Sequence, residues 1–195
     1  RLVGSEMCIR DRPKGVDGEL RLDGFTKRGG GGGPLVNWSH SAGTGLLDLY
    51  ALYDTGIDRT SSGRDVDPSN DFRGVALAEH HVRWGSGWMM QLQGSYISDP
   101  TFITTWREED FENRREYETS GYVQRQWGGK SYSVVGQYAV NDFLSNSWLL
   151  ASTQHTVDRL PEADFRMYGI SLLDDAVTYS GETRAGRIRF AYETS

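Results

Sequence analysis

The chain has 195 residues, a net charge of −6 and an isoelectric point near 5.2, which argues against a broad nucleic-acid surface. A mean hydropathy of −0.57, with no apolar run near the roughly 18 residues a spanning helix needs, excludes a helical membrane protein. Yet aromatics reach 12%, with ten Tyr and six Trp, and 24 Gly stand against five Pro, which favours strands and tight turns.

Polar on average but rich in aromatics is the composition of a transmembrane β-barrel, because half of each strand faces a wet lumen. A soluble β-sandwich gives similar averages, so composition leaves both open. The single cysteine, Cys8, excludes an internal disulfide framework. Residues Arg1–Arg12, RLVGSEMCIRDR, lack the apolar core of a signal peptide and resemble translated adapter sequence, so they are read as non-native and set aside. Residues 13–195 then read as one partial barrel domain. With no initiator Met and an end just after a strand pattern, the chain is expected to be an internal piece of a longer protein.

In chain order, Asp17–Lys27 alternates, with Leu20, Leu22 and Gly24 on one face. Arg28–Pro34, RGGGGGP, reads as a flexible turn or loop. Leu35–His40 is a short strand. Thr44–Asp54 is the next, with Leu47, Leu49, Ala51 and Tyr53 on its apolar face and Asp48 and Tyr50 opposite. Thr55–Asn70 is a long loop, too polar to pack. Asp71–Trp84 and Trp88–Ser98 form a hairpin about Gly85-Ser86-Gly87. A charged crossing spans Asp99–Glu116, in which Arg107–Arg115 is expected to be a solvated, salt-bridged surface loop. Tyr117–Trp127 and Lys130–Val140 make a second hairpin about Gly128-Gly129. Asn141–Ala151 is ambiguous, and Leu160–Leu172, Ala176–Thr183 and Gly186–Glu193 read as three further strands.

Three features favour a membrane barrel over a sandwich. The strands run about 10–13 residues, where soluble strands average about 5–6 and tilted spanning strands need about 9–11. The tight turns are flanked by Trp84, Trp88 and Trp127, as an interfacial girdle requires. Tight turns also alternate with long loops, the layout of outer-membrane barrels. The fold class read here is all-β: an antiparallel, outer-membrane-type barrel fragment of about eight to ten strands, too few to close by itself.

Motifs of chemistry are weak. His80 and His81 are adjacent on a strand, so they point to opposite faces and cannot readily share a metal. Asp65–Asp71 imitates the start of a calcium loop, but Asn70 and Ala76 replace its Gly and closing Glu. Gly128-Gly129-Lys130-Ser131 imitates a phosphate loop without its first Gly or its helix. The carboxylates Glu108, Glu109, Asp110 and Glu112 lie among arginines, and no G-x-S-x-G elbow occurs. No catalysis, cofactor or metal is expected.

The order of EHHVRWGSGWMMQLQGSYISDPTFITTW, ENRREYETSGYVQRQWGGKSYSVVGQY and the Asp158–Phe165 stretch DRLPEADF resembles the early barrel strands of the lipopolysaccharide-assembly family LptD, the organic solvent tolerance proteins. Ser98-Asp99-Pro100-Thr101-Phe102 and Arg159-Leu160-Pro161-Glu162 carry the likeness, over about residues 70–191. The resemblance implies a translocon of the Gram-negative outer membrane that inserts lipopolysaccharide into the outer leaflet. It also implies an LptE-like plug lipoprotein in the lumen and an LptA-like periplasmic bridge, with outer-membrane lipid around the barrel and no nucleic-acid partner. On that reading Arg73, Glu79, His81, Arg83, Gln91, Gln93, Ser131, Ser133 and Gln137 face the lumen as candidate substrate-path residues, and Trp84, Trp88 and Trp127 sit at the lipid interface. A porin-like channel and a soluble, lectin-like β protein stay open as alternatives.

Overall fold

The computed structural model describes residues 3–4, 15–59, 63, 65–68, 70–113, 115, 117–138, 140, 155–174 and 176–192. Its elements are β1 (Val3–Gly4), β2 (Val16–Phe25), β3 (Gly29–His40), β4 (Gly43–Asp54), β5 (Asp58–Arg59), β6 (Asp65–Val66), β7 (Phe72–Trp84), β8 (Trp88–Ile97), α1 (Phe102–Trp106), α2 (Glu108–Glu112), β9 (Thr119–Trp127), β10 (Lys130–Tyr138), β11 (His155–Leu172) and β12 (Val177–Tyr192). Ten strands form one antiparallel meander in the order β1-β2-β3-β4-β7-β8-β9-β10-β11-β12, and β5-β6 form a small ribbon. Among the described residues the order does not close, so β1 and β12 are edges. Val3–Gly4, inside the stretch set aside above, pairs with Asp23 and Gly24.

Alternation decides which face each side chain takes. On one face, here the inner face, lie Asp17, Arg21 and Asp23 of β2, Asp48, Tyr50 and Leu52 of β4, Arg73, Val75 and Leu77 of β7, and Ser95 and Ile97 of β8. The outer face carries Leu22, Tyr53, Phe72, Trp84, Leu92, Tyr96, Trp127, Tyr132 and Tyr138, all exposed. The buried hydrophobic cluster is Tyr50, Leu52, Val75, Ile97, Phe102 and Ile103, with Trp106 and Tyr117 packed against it. The sheet therefore hides its more polar face and bares its apolar one, the reverse of a soluble sheet.

The turns at one end are short: Ser41-Ala42, Gly85–Gly87, Gly128-Gly129 and the β11–β12 turn. Gly87 is needed at φ 77°, where a Cβ would meet the Gln126 carbonyl at 2.0 Å. The other end carries the β4–β7 and β8–β9 connections, which are long.

Four expectations need correction. The glycine run is part of β3, not a loop: Gly29–Pro34 pairs with β2 along its length and Gly29–Gly32 also pairs with β4. Its glycines let β3 lie close against β4, since a Cβ at Gly33 would stand 2.0 Å from the Leu49 carbonyl oxygen. Most described residues of Thr55–Asn70 are exposed, as a polar loop should be, but the stretch also carries the β5-β6 ribbon and one fully buried residue, Asp58. The charged crossing folds into α1 and α2, and its Phe102 and Ile103 are buried. The last three expected strands are two, because β12 runs unbroken through Thr183–Gly186. Pro161 sits where the β11–β12 register shifts between Arg159 and Glu162, a bulge that tolerates its missing N–H. The ambiguous stretch 141–151 lies outside the described residues.

Candidate functional site

Arg73 opens the inner face of β7 beside the end of β4. Its guanidinium is 1% exposed, and all of its nitrogens are used. Nε donates to Asp99 at 2.8 Å, Nη1 to Asp54 at 2.8 Å, and Nη2 to Asp58 at 2.6 Å and to Asp99 at 2.7 Å. Arg28, in the β2–β3 turn, donates Nε and Nη2 to Asp54 at 2.8 and 2.7 Å and also reaches Asp58. The Thr101 hydroxyl closes the cluster on Asp58. Planar forks suit this task, since each guanidinium offers parallel donors to a carboxylate.

A second tier holds the crossing in place. Arg21 and Arg107 both donate to Asp48 and both lie over the Tyr50 ring, at 5.6 and 5.4 Å. The Tyr50 hydroxyl donates to Asp23 at 2.7 Å, Tyr117 donates to Asp110 at 2.8 Å, and Arg115 reaches Glu79 at 3.1 Å. The charges of Arg107–Arg115 are thus not simply a solvated surface. Arg107 and Arg115 tie the crossing to β4 and β7, so the two long connections form a roof over the loop end of the inner face.

Below the roof the inner face is an open trough of about 990 Å³. Asp17, Asn37, His81, Gln91, Gln93 and Tyr122 contribute to its lining. Gln91 Nε2 and His81 Nδ1 are 3.2 Å apart. The larger share of this wall is apolar, and its polar groups are amides, hydroxyls and imidazole with the carboxylates of Asp17 and Glu79, a mixture that can hydrogen-bond a polyhydroxylated ligand.

Of the residues singled out in the sequence, Glu79, His81, Gln91 and Gln93 line the trough. Arg83 is exposed at the short-turn end of the same face. Ser131, Ser133 and Gln137 share that face on β10, opposite Gln126, Gln124 and Ser120, and Ser131 is buried. Arg73 is different. Its guanidinium is sealed among three carboxylates and holds the roof. Trp84, Trp88 and Trp127 lie on the outer face at the short-turn end. The two histidines take opposite faces of β7 by alternation: His81 lies near Gln91, while His80 accepts a 3.3 Å hydrogen bond from Trp38 Nε1. Among the described residues no group of three or more His, Cys, Asp or Glu could hold a metal.

The ion cluster itself escaped the sequence. Asp48 and Asp54 could have been found, because they fall at inner positions of a strand whose other face is apolar. Asp58 and Arg28 sit in a loop and a turn, where no periodicity applies. Asp99 stood in the Ser98–Phe102 motif, but nothing there named its partner.

The roof should respond to acid. Burial pushes the carboxyls of Asp58 and Asp99 up, yet hydrogen bonds from Arg73, with Thr101 and Arg28 on Asp58 and Ser98 on Asp99, outweigh it and hold both below the ordinary value. Groups lowered in this way stabilise the fold above their free pKa near about 4 and lose that contribution as pH falls through the folded value. Trp106 packs on Phe25 at 4.7 Å and under Arg28 at 4.8 Å, so its emission reports the roof. Emission should hold from about pH 9 to about pH 5 and shift to the red below about pH 4; a transition centred near neutrality would contradict the assignment.

No family model and no curated protein matches this chain.

Proposed function

We propose that this chain is part of the wall of an outer-membrane β-barrel that inserts lipopolysaccharide into the outer leaflet, by transport without covalent chemistry. One observation carries the membrane reading. Across β2–β4 and β7–β10, every strand carboxylate falls on the inner face, and the outer face holds only Arg125 and Lys130 as formal charges. A charged side chain on a lipid face costs about 2–4 kcal/mol at mid-bilayer and about 0–1 near the interface. Both cations lie in the two hairpins' short-turn region, where that cost is small.

The outer aromatics fall near both ends of the strands. Trp84, Trp88 and Trp127 mark the turn side, and Tyr53, Phe72 and Tyr138 the loop side. Phe72 and Trp84 end β7, about 40 Å apart at about 3.3 Å per residue. A tilt of about 40° reduces this to about 30 Å, near the height of an apolar barrel band. A soluble sandwich would cover the outer face with a second sheet, but among the described residues the only other sheet is the two-stranded β5-β6.

The lipopolysaccharide part rests on the resemblance in residues 70–191, and the trough agrees with it chemically. Amides and hydroxyls under a roof suit a sugar-rich headgroup or a plug lipoprotein better than bulk flow. On this reading the short turns face the periplasm, from which a bridge protein delivers lipid, and the roofed end faces out. Depleting the full-length protein in a Gram-negative host should lower surface lipopolysaccharide. Normal surface lipopolysaccharide with lost small-solute uptake would overturn this in favour of a porin.

A further inference from the structure

The outer face carries a feature that neither the roof nor the trough uses. Arg125 lies on β9 opposite Trp88, and its guanidinium stacks over Trp88 at 5.4 Å and over Trp127 at 5.1 Å. Trp84 stacks parallel on Trp88, with centroids 5.9 Å apart and planes 4° apart. Lys130, paired with Trp127, projects on the same face by alternation. Arg125 Nε is buried against the rings and has no hydrogen-bond partner, and among the described residues no carboxylate comes within ion-pair reach of either cation. Two cations set among three indoles, on a face without an acid in seven strands, form a site that is complementary to an anion. The indoles restrict that anion to a bilayer interface, because amphipathic rings settle at headgroup level.

We propose that this rim docks anionic phospholipid of the turn-side leaflet, with the phosphate at Arg125 and Lys130 and the upper acyl chains against Trp88 and Trp127. The proposal rests on the membrane reading above and adds a lipid preference to it. The guanidinium is planar, and with Nε closed off its Nη edge can meet a phosphate as a fork while Cζ lies over the two rings. A zwitterionic headgroup offers the same phosphate together with a compensating ammonium, so the basic pair favours the anionic lipid. Each cation near an anionic surface should contribute about fivefold to relative lipid association.

The test is tryptophan quenching of the full-length protein folded into phosphatidylcholine vesicles that contain brominated phosphatidylglycerol, or the reverse mixture. The wild type should associate with phosphatidylglycerol at least about fivefold more strongly than with phosphatidylcholine, and added salt should weaken the preference. R125Q/K130Q should bring the ratio to about one while quenching persists, and Arg125→Lys should keep most of the preference. Equal association of both lipids with the wild type, or a preference that survives R125Q/K130Q, overturns the docking site and leaves the membrane reading intact. If neither brominated lipid quenches, the membrane reading itself fails.

Discussion

Arg73→Met should detach the roof from the sheet and cost the fold at least about 3–5 kcal/mol, the usual penalty for removing one partner of a buried ion pair. The figure is a lower bound, because three carboxylates, Asp54, Asp58 and Asp99, lose their shared guanidinium together. Arg28 remains, but of the three acids it pairs only with Asp54 and Asp58, so Asp99 keeps its Ser98 and Thr101 hydrogen bonds without a cation. Arg73→Lys should fall between wild type and Met: it restores the charge but not the fork that meets three acids at once. If the cost is uncompensated charge, Arg73→Met combined with Asp99→Asn should recover a measurable part of it, whereas a purely steric loss would not be recovered. Urea unfolding in detergent micelles, followed by Trp106 emission, gives the stability. Proteolysis within residues 99–118 reports the roof separately. Unchanged unfolding, within about 0.5 kcal/mol, would refute the cluster's role.

Much of the sheet was legible because alternation is local. The faces of Thr44–Asp54, of Asp71–Trp84 and of the two Trp-flanked hairpins follow from a period of two, and a slip of one residue would exchange their faces. Strand ends at Trp84, Trp88 and Trp127 were legible because glycine turns mark them. What was missed depends on distance. Gly29–Pro34 looks like a linker by composition, and only the close approach of β4 makes glycine the fitting residue for a strand there. Asp58 looks like one polar residue in a polar loop, and its burial depends on Arg73 and Arg28, 15 and 30 positions away. Phe102 and Ile103 are two apolar residues in a crossing otherwise full of charge. Their anchoring role appears only once Tyr50, Leu52, Val75 and Ile97 have been brought beneath them. The trough was half visible: its β7 and β8 wall could be read by parity, while Asp17 and Asn37, which complete it, come from strands whose pairing sequence alone does not give.

Gly136→Arg should weaken assembly into bilayers, whereas Gln137→Arg, one residue along, should be tolerated. Gly136 lies on the outer face of β10 between Tyr132 and Tyr138 and pairs with Gly121. A Cβ placed there would meet no atom within 4 Å, so an added side chain has room, and any penalty comes from the environment rather than from a clash. The site lies inside the apolar band but nearer its loop-side edge. An arginine there should cost roughly 2 kcal/mol, between the mid-bilayer and interfacial limits, or about 30-fold in the folded-to-unfolded ratio. Gln137 points to the inner face opposite Ser120, where water or a polar ligand solvates a guanidinium. Gly136→Ala separates the two causes: with space for its methyl, it should fold as well as wild type or slightly better, because alanine loses less backbone entropy. The folded fraction is read in vesicles, for the full-length protein, from resistance to unfolding in detergent at room temperature. If Gly136→Arg and Gln137→Arg assemble equally well, the outer face does not meet lipid, and the sheet's bare apolar side must be covered by protein instead.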